Sequence, residues 1–148
     1  MKKTAFLLIL IVIAAFIPGC TGDINVPDGT YRAQFADFDA LGYRDFVEVT
    51  VENNEVIAMV ANAESGLDGT LKTQNEALRA LLEATTGTYP EKYYQDLENQ
   101  YMSHPNASEM QVIAGAEESS NNIITLLKAL EKAQKAGTYT EPCLIVAR

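Results

Sequence analysis

The chain has 148 residues with twenty acidic and eleven basic side chains, a net charge of −9, one histidine and two cysteines. That acidity excludes nucleic acid and bare anionic lipid as electrostatic partners, since either needs a basic surface. Two cysteines cannot build a disulfide framework, and the length suits one small domain.

"MKK" followed by "TAFLLILIVIAAF" has the charged start and apolar run of an export signal, and "IPGC" puts Gly19 directly before Cys20. This predicts a lipoprotein signal peptide over residues 1–19, cleaved to leave Cys20 carrying diacylglycerol, each buried methylene adding about 0.8 kcal/mol to anchoring. The competing reading is an uncleaved single-pass anchor, because the apolar run approaches spanning length. Either one puts the remainder on the extracytoplasmic face of the cell membrane. Cleavage would leave nine basic against twenty acidic residues, a charge of −11 with His104 neutral, so attachment must come from the lipid. Cys143, in the apolar "PCLIVAR", then lacks a partner and reads as a buried structural thiol.

Residues 20–28 read as a polar tether, with order expected from Gly29. "TYRAQF" and "RDFVEVTVE" read as strands, Val47, Val49 and Val51 alternating against Glu48 and Thr50. Asn53 and Asn54 supply a two-residue hairpin turn, and "EVIAMVANA", with hardly a polar residue, reads as a central third strand. Between the first two strands, Asp37, Asp39 and Asp45 suggest calcium, but Ala40, Leu41 and Tyr43 interrupt the ligand series and a solvated acidic loop fits better.

"QNEALRALLEATT" predicts a helix with Leu78, Leu81, Leu82 and Thr85 on one face, ended by Gly87. A second helix starts at about Pro90, with Thr88 and Glu91 at capping-box spacing and an inner face of Tyr94, Leu97 and Tyr101. The tyrosines fit core packing better than ligand stacking. His104, alone in a polar loop, is a poor metal ligand. A strand from Gln111 then leads through a small-residue loop into a third helix, from about Ser120 to Ala136, with Ile123, Ile124, Leu127 and Leu130 buried and Gly137 past its end. "CLIVA" supplies a last strand. The expected fold is a single α+β domain over residues 29–148, a small mostly antiparallel sheet packed against about three helices.

"AGAEESS" combines small residues with a helix N-terminus, the usual setting for a phosphate. It also carries Glu117 and Glu118, and acids in a first turn are an ordinary helix-stabilising device, with Ser119 or Ser120 as the N-cap. "PDGTYRAQFADFDALGYRDFVEVTVENNEVI", "DGTLKTQN", "YPEKYY" and "AGAEESS", in that order behind a lipobox, together resemble the FMN-binding domain family, most closely its lipoprotein branch of membrane immunogens. In that family the loop runs Asp-x-x-Ser/Thr-Gly-Ala-Thr, and the final threonine often holds FMN through a phosphoester. The resemblance aligns Gly115 and Ala116 with that motif, but it puts Gln111 at the acidic position, Ala114 at the first hydroxyl and Glu117 at the acceptor.

A carboxylate cannot form the phosphoester, so covalent flavin is not expected. Non-covalent FMN stays open, with Gly115, Ala116, Glu117, Ser119 and Ser120 around the phosphate and Lys72 as its basic neighbour. Two readings follow from the resemblance. One is a lipid-anchored FMN-binding domain serving electron transfer with a redox protein partner. The other is a surface binding or structural lipoprotein that has abandoned flavin. No nucleophile-elbow or triad pattern supports a hydrolase.

Overall fold

A computed structural model describes residues 26–148; the predicted signal peptide, Cys20 and residues 21–25 lie outside the described residues. Alternation of small or branched apolar residues with polar ones makes β1 (Gly29–Phe35), β2 (Tyr43–Glu52) and β3 (Glu55–Ser65) one antiparallel meander. Asn53 and Asn54 both adopt positive φ, 52° and 64°, as the expected two-residue turn requires. A short strand β4 (Leu144–Val146) pairs parallel to β1, giving the order β3-β2-β1-β4.

Three helices follow β3: α1 (Glu76–Thr86), α2 (Pro90–Ser103) and α3 (Glu117–Ala136). The result is the expected single α+β domain, with α2 and α3 packed on one sheet face. That face buries Ala33, Val47, Val49, Val51 and Ala61 against Leu97, Tyr101, Ile123, Leu126, Leu127 and Leu130. Each fully buried aliphatic side chain contributes about 1.5–3 kcal/mol, which makes α3 the principal apolar layer. The opposite face is ionic: Arg32 bridges Glu48 and Glu64, both at 2.8 Å, and lies over the Phe46 ring.

Several expectations need correcting. β3 is an edge strand, with Ile57 and Val60 exposed; its edge N–H at Ala61 is covered by the Glu98 carboxylate of α2 at 2.9 Å instead of by a further strand. Gln111 starts no strand, because the Gln100 side chain bonds both its N–H (2.7 Å) and its carbonyl (3.2 Å), satisfying the backbone outside any ladder. The helix with the strongest leucine pattern, α1, buries no residue fully: Leu78 and Leu82 are half-buried and Leu81 is exposed. Asn75 caps α1 through the Leu78 N–H and Gly87 ends it in the left-handed region, so its ends are well specified even though its face is not covered.

The capping box at Thr88 does not form; Tyr89 is the N-cap of α2 and the Thr88 hydroxyl is buried without a partner. Order begins before Gly29, since Val26 is already in the core. Cys143 is only half-buried; among the described residues it has no disulfide partner, and burial pushes its thiol pKa up. His104 is exposed and meets Glu109 at 3.0 Å. In the β1–β2 loop Asp39 accepts from the Leu41 and Tyr43 N–H groups, whereas Asp45 leaves the loop altogether and enters the core.

Candidate functional site

The loop ahead of α3 and the short 3-10 turn Lys72–Gln74 converge on one buried polar cluster. Lys72, only 5% exposed, donates to the Ser119 hydroxyl at 3.3 Å, and that hydroxyl faces the Tyr93 phenol at 3.5 Å. Two residues singled out from sequence, 47 positions apart, therefore meet. Lys72 also lies over the Tyr43 ring, 5.6 Å from its centroid.

Asp45 sits in the same layer, 1% exposed. Its carboxylate accepts from the Tyr94 hydroxyl at 3.0 Å and the Asn122 amide at 2.8 Å, with the Arg148 guanidinium at 3.5 Å. Burial raises its pKa; Lys72, the Asn122 and Tyr94 hydrogen bonds and Arg148 oppose that shift without cancelling it. Tyr94 is pushed up as well, first by burial and then by the neighbouring Asp45 charge. The sequence reading assigned Asp45 to a solvated loop, yet the β2 alternation carried back from Val47 runs through Asp45 to Tyr43 and would have put both on the inner face.

The remaining predicted site residues do not form an open cradle. Helix α3 begins at Glu117, three residues before the expected Ser120, and its N-cap is Ala116, which is buried and has no side chain to bond the helix N–H groups. Neither serine caps the helix. Ser120, fully buried, accepts from the Ile113 N–H at 3.0 Å and so ties the loop back onto the first turn. Gly115 has φ +79°, and a Cβ there would stand 2.6 Å from the Thr86 carbonyl oxygen; the glycine serves the close approach of two loops. Glu117 is exposed, and its carboxylate accepts the Gly115 N–H at 2.9 Å, which lowers its pKa. A protein carboxylate thus takes the donor that an incoming phosphate would need.

These residues do not fit an FMN phosphate in the arrangement the family motif implies. The acceptor position holds an acid, one loop N–H is already bonded, and the basic neighbour Lys72 is buried between Ser119 and the Asp45 field. What the cluster does chemically is to satisfy a buried cation and a buried carboxylate between β2, the 3-10 turn, α2 and α3. Among the described residues no group of three or more His, Cys, Asp or Glu side chains could hold a metal ion.

No protein-family model matches the chain. In overall fold it is similar to a crystallographically solved protein of Clostridium perfringens (TM-score 0.76, 22% identity, 83% of this chain and 98% of that one). It is also similar to a Clostridium thermocellum protein solved by NMR (TM-score 0.50, 18% identity, 77% and 95%). Among the described residues no helix is long and apolar enough to cross a membrane. In sequence the chain is 30% identical to the 15 kDa lipoprotein of Treponema pallidum over 136 residues, 92% of this chain and 93% of the relative. At that identity and coverage, the chain belongs to the family of this lipoprotein.

Proposed function

We propose that the protein is a lipid-anchored domain on the extracytoplasmic face of the membrane, attached through Cys20, that uses this fold as a surface binding module and carries no covalent flavin. The observation that carries the reading is Glu117. Its carboxylate stands where the resemblance puts an acceptor threonine, and it accepts the Gly115 N–H at 2.9 Å. A second negative charge beside this helix N-terminus works against a phosphate that the terminus would otherwise favour. The lipoprotein relative supports the anchoring at Cys20.

One observation favours the second reading, non-covalent FMN serving electron transfer with a redox protein partner. The buried, unpartnered Thr88 hydroxyl belongs to one of the two residues against which Gly115 packs, and Lys72 reaches the first turn of α3 through Ser119. Rotation of Glu117 outward would free the Gly115 N–H beside them. The flavin would supply the redox chemistry and these residues its phosphate contacts.

An absorption spectrum of the purified protein, before and after acid precipitation, separates the readings. A colourless protein that ignores added FMN is the expected result. Yellow colour released to the supernatant would establish the second reading, and colour kept in the pellet would overturn both. Glu117→Thr, co-expressed with a flavin transferase, checks the alignment through Gly115 and Ala116: covalent colour is expected if that register is right.

A further inference from the structure

Beside η1, the Lys72–Gln74 turn, the β1–β2 loop and the loop after β3 enclose a cleft of about 610 Å³, a size that accommodates a small organic ligand or a short peptide. Its polar lining includes Tyr43, Thr70 and Asn75, and its carboxylates are Asp68 and Glu76. No lysine or arginine lines it, so it differs in charge from the Lys72 cluster on the other side of the turn. Two leucines at the loop tips form part of the wall, Leu41 at 64% exposure and Leu67 at 97%. A leucine left almost wholly in water at the mouth of a cleft is apolar surface without a partner in the fold.

Position and charge narrow the occupant. β1 leaves the tether side at Gly29 and ends at Phe35, and β2 returns from Tyr43. The cleft therefore lies at the end of the sheet remote from the chain's entry, roughly 20 Å away at about 3.3 Å per residue. A domain tethered through Cys20 keeps this end clear of the attachment point. Backbone and hydroxyl bonds from Thr70 and Ser65 lower the Asp68 pKa, so the carboxylate stays ionised.

We propose that this cleft docks a basic segment of a partner protein, a lysine or arginine flanked by aliphatic residues, with the cation on Asp68 and Glu76 and the aliphatic side chains on Leu41 and Leu67. The proposal deepens the binding-module reading and depends on it. An anionic ligand such as FMN is disfavoured here by both carboxylates.

The test uses the full chain in phosphatidylcholine nanodiscs and two fluorescein-labelled peptides, Leu-Arg-Leu-Arg-Leu amide and its counterpart with glutamate in place of arginine, read by fluorescence anisotropy. The basic peptide is expected to bind saturably and the acidic one not. Asp68→Asn with Glu76→Gln should weaken binding at least fivefold, and Leu67→Ser at least threefold. Glu52→Gln with Glu55→Gln makes the same charge change at the β2–β3 turn, the far end of the sheet, and should leave binding within twofold. Equal losses from the two charge pairs would reduce the effect to overall charge and overturn the proposal, as would binding of the acidic peptide or of neither. FMN uptake in a separate titration would overturn the flavin-free reading while leaving these cleft results to stand or fall by themselves.

Discussion

The junction ahead of α3 and the cleft beside the 3-10 turn are built from similar parts, with opposite results. Both have a glycine at positive φ, a nearby helix start and acidic side chains. At the junction every part is turned inward: Gly115 presses on Thr86, Ser120 holds the Ile113 N–H, Glu117 holds the Gly115 N–H, and Lys72 is buried on Ser119. At the cleft Gly69 has nothing within 4 Å of where a Cβ would stand, and Asp68 and Leu67 face solvent. Both loops pair their glycine N–H internally, Gly115 with Glu117 and Gly69 with the Ser65 carbonyl, each at 2.9 Å, so the difference lies in what neighbouring segments press against them. Loop composition does not report that packing.

Substituting the glycines tests the two regions directly. Gly115→Ala meets both the left-handed penalty, about 1–2 kcal/mol, and a backbone clash that costs a further 1–3 kcal/mol. Urea denaturation should show a loss of about 3 kcal/mol. Gly69→Ala faces the conformational penalty alone and should lose about 1 kcal/mol. Equal losses would mean that the close approach at Thr86 is not what fixes Gly115.

Asp45 gives the next contrast, and it depends on pH. Its pKa is raised in the folded protein, so between the ordinary carboxylate value and the raised one the folded state binds more protons than the unfolded chain. Stability from this group therefore falls as pH rises through that window and stays low above it. Relative to Asp45→Asn, the wild-type protein should lose stability as pH rises above the ordinary carboxylate range; the comparison isolates Asp45 from Glu98, whose pKa burial also raises. A pH-independent difference would show that Lys72 and Arg148 fully compensate the desolvation.

The smallest effect is expected on α1, the helix nearest the cleft. Leu81, 58% exposed, gives up little buried surface on truncation, and Leu81→Ala should change stability by less than about 0.5 kcal/mol. Leu127→Ala on α3 removes a side chain with no exposed surface and should cost about 2–5 kcal/mol. A substantial cost at Leu81 would reveal that something covers this face in solution.

The strands and helices were readable because their signals are local. The Asn53–Asn54 turn, Pro90 at the start of α2, Gly87 and Gly137 past α1 and α3, and the apolar stripe of α3 each follow from backbone or periodicity rules acting within a few residues. The errors came where a long-range partner decides. Gln111 pairs with the Gln100 side chain instead of a strand, Thr88 has capping-box spacing but no cap bond, and the apolar β3 is an edge whose Ala61 N–H is covered by Glu98. The site was half legible: Lys72 and Ser119 were chosen for the chemistry of a loop and do meet, but in a closed network whose carboxylate is Asp45.

By itself the sequence determined the α+β class, the helical and β segments, the apolar face of α3 and the net negative charge, because hydrophobic periodicity, turn residues and charge count are properties of the chain. Only the tertiary structure decided which strand lies at the edge, that α1 keeps its leucines near water, and that Glu117 occupies the N–H its loop would otherwise offer. Those outcomes depend on which groups from distant segments satisfy one another's hydrogen bonds and charges once water is removed, and no local pattern encodes that pairing.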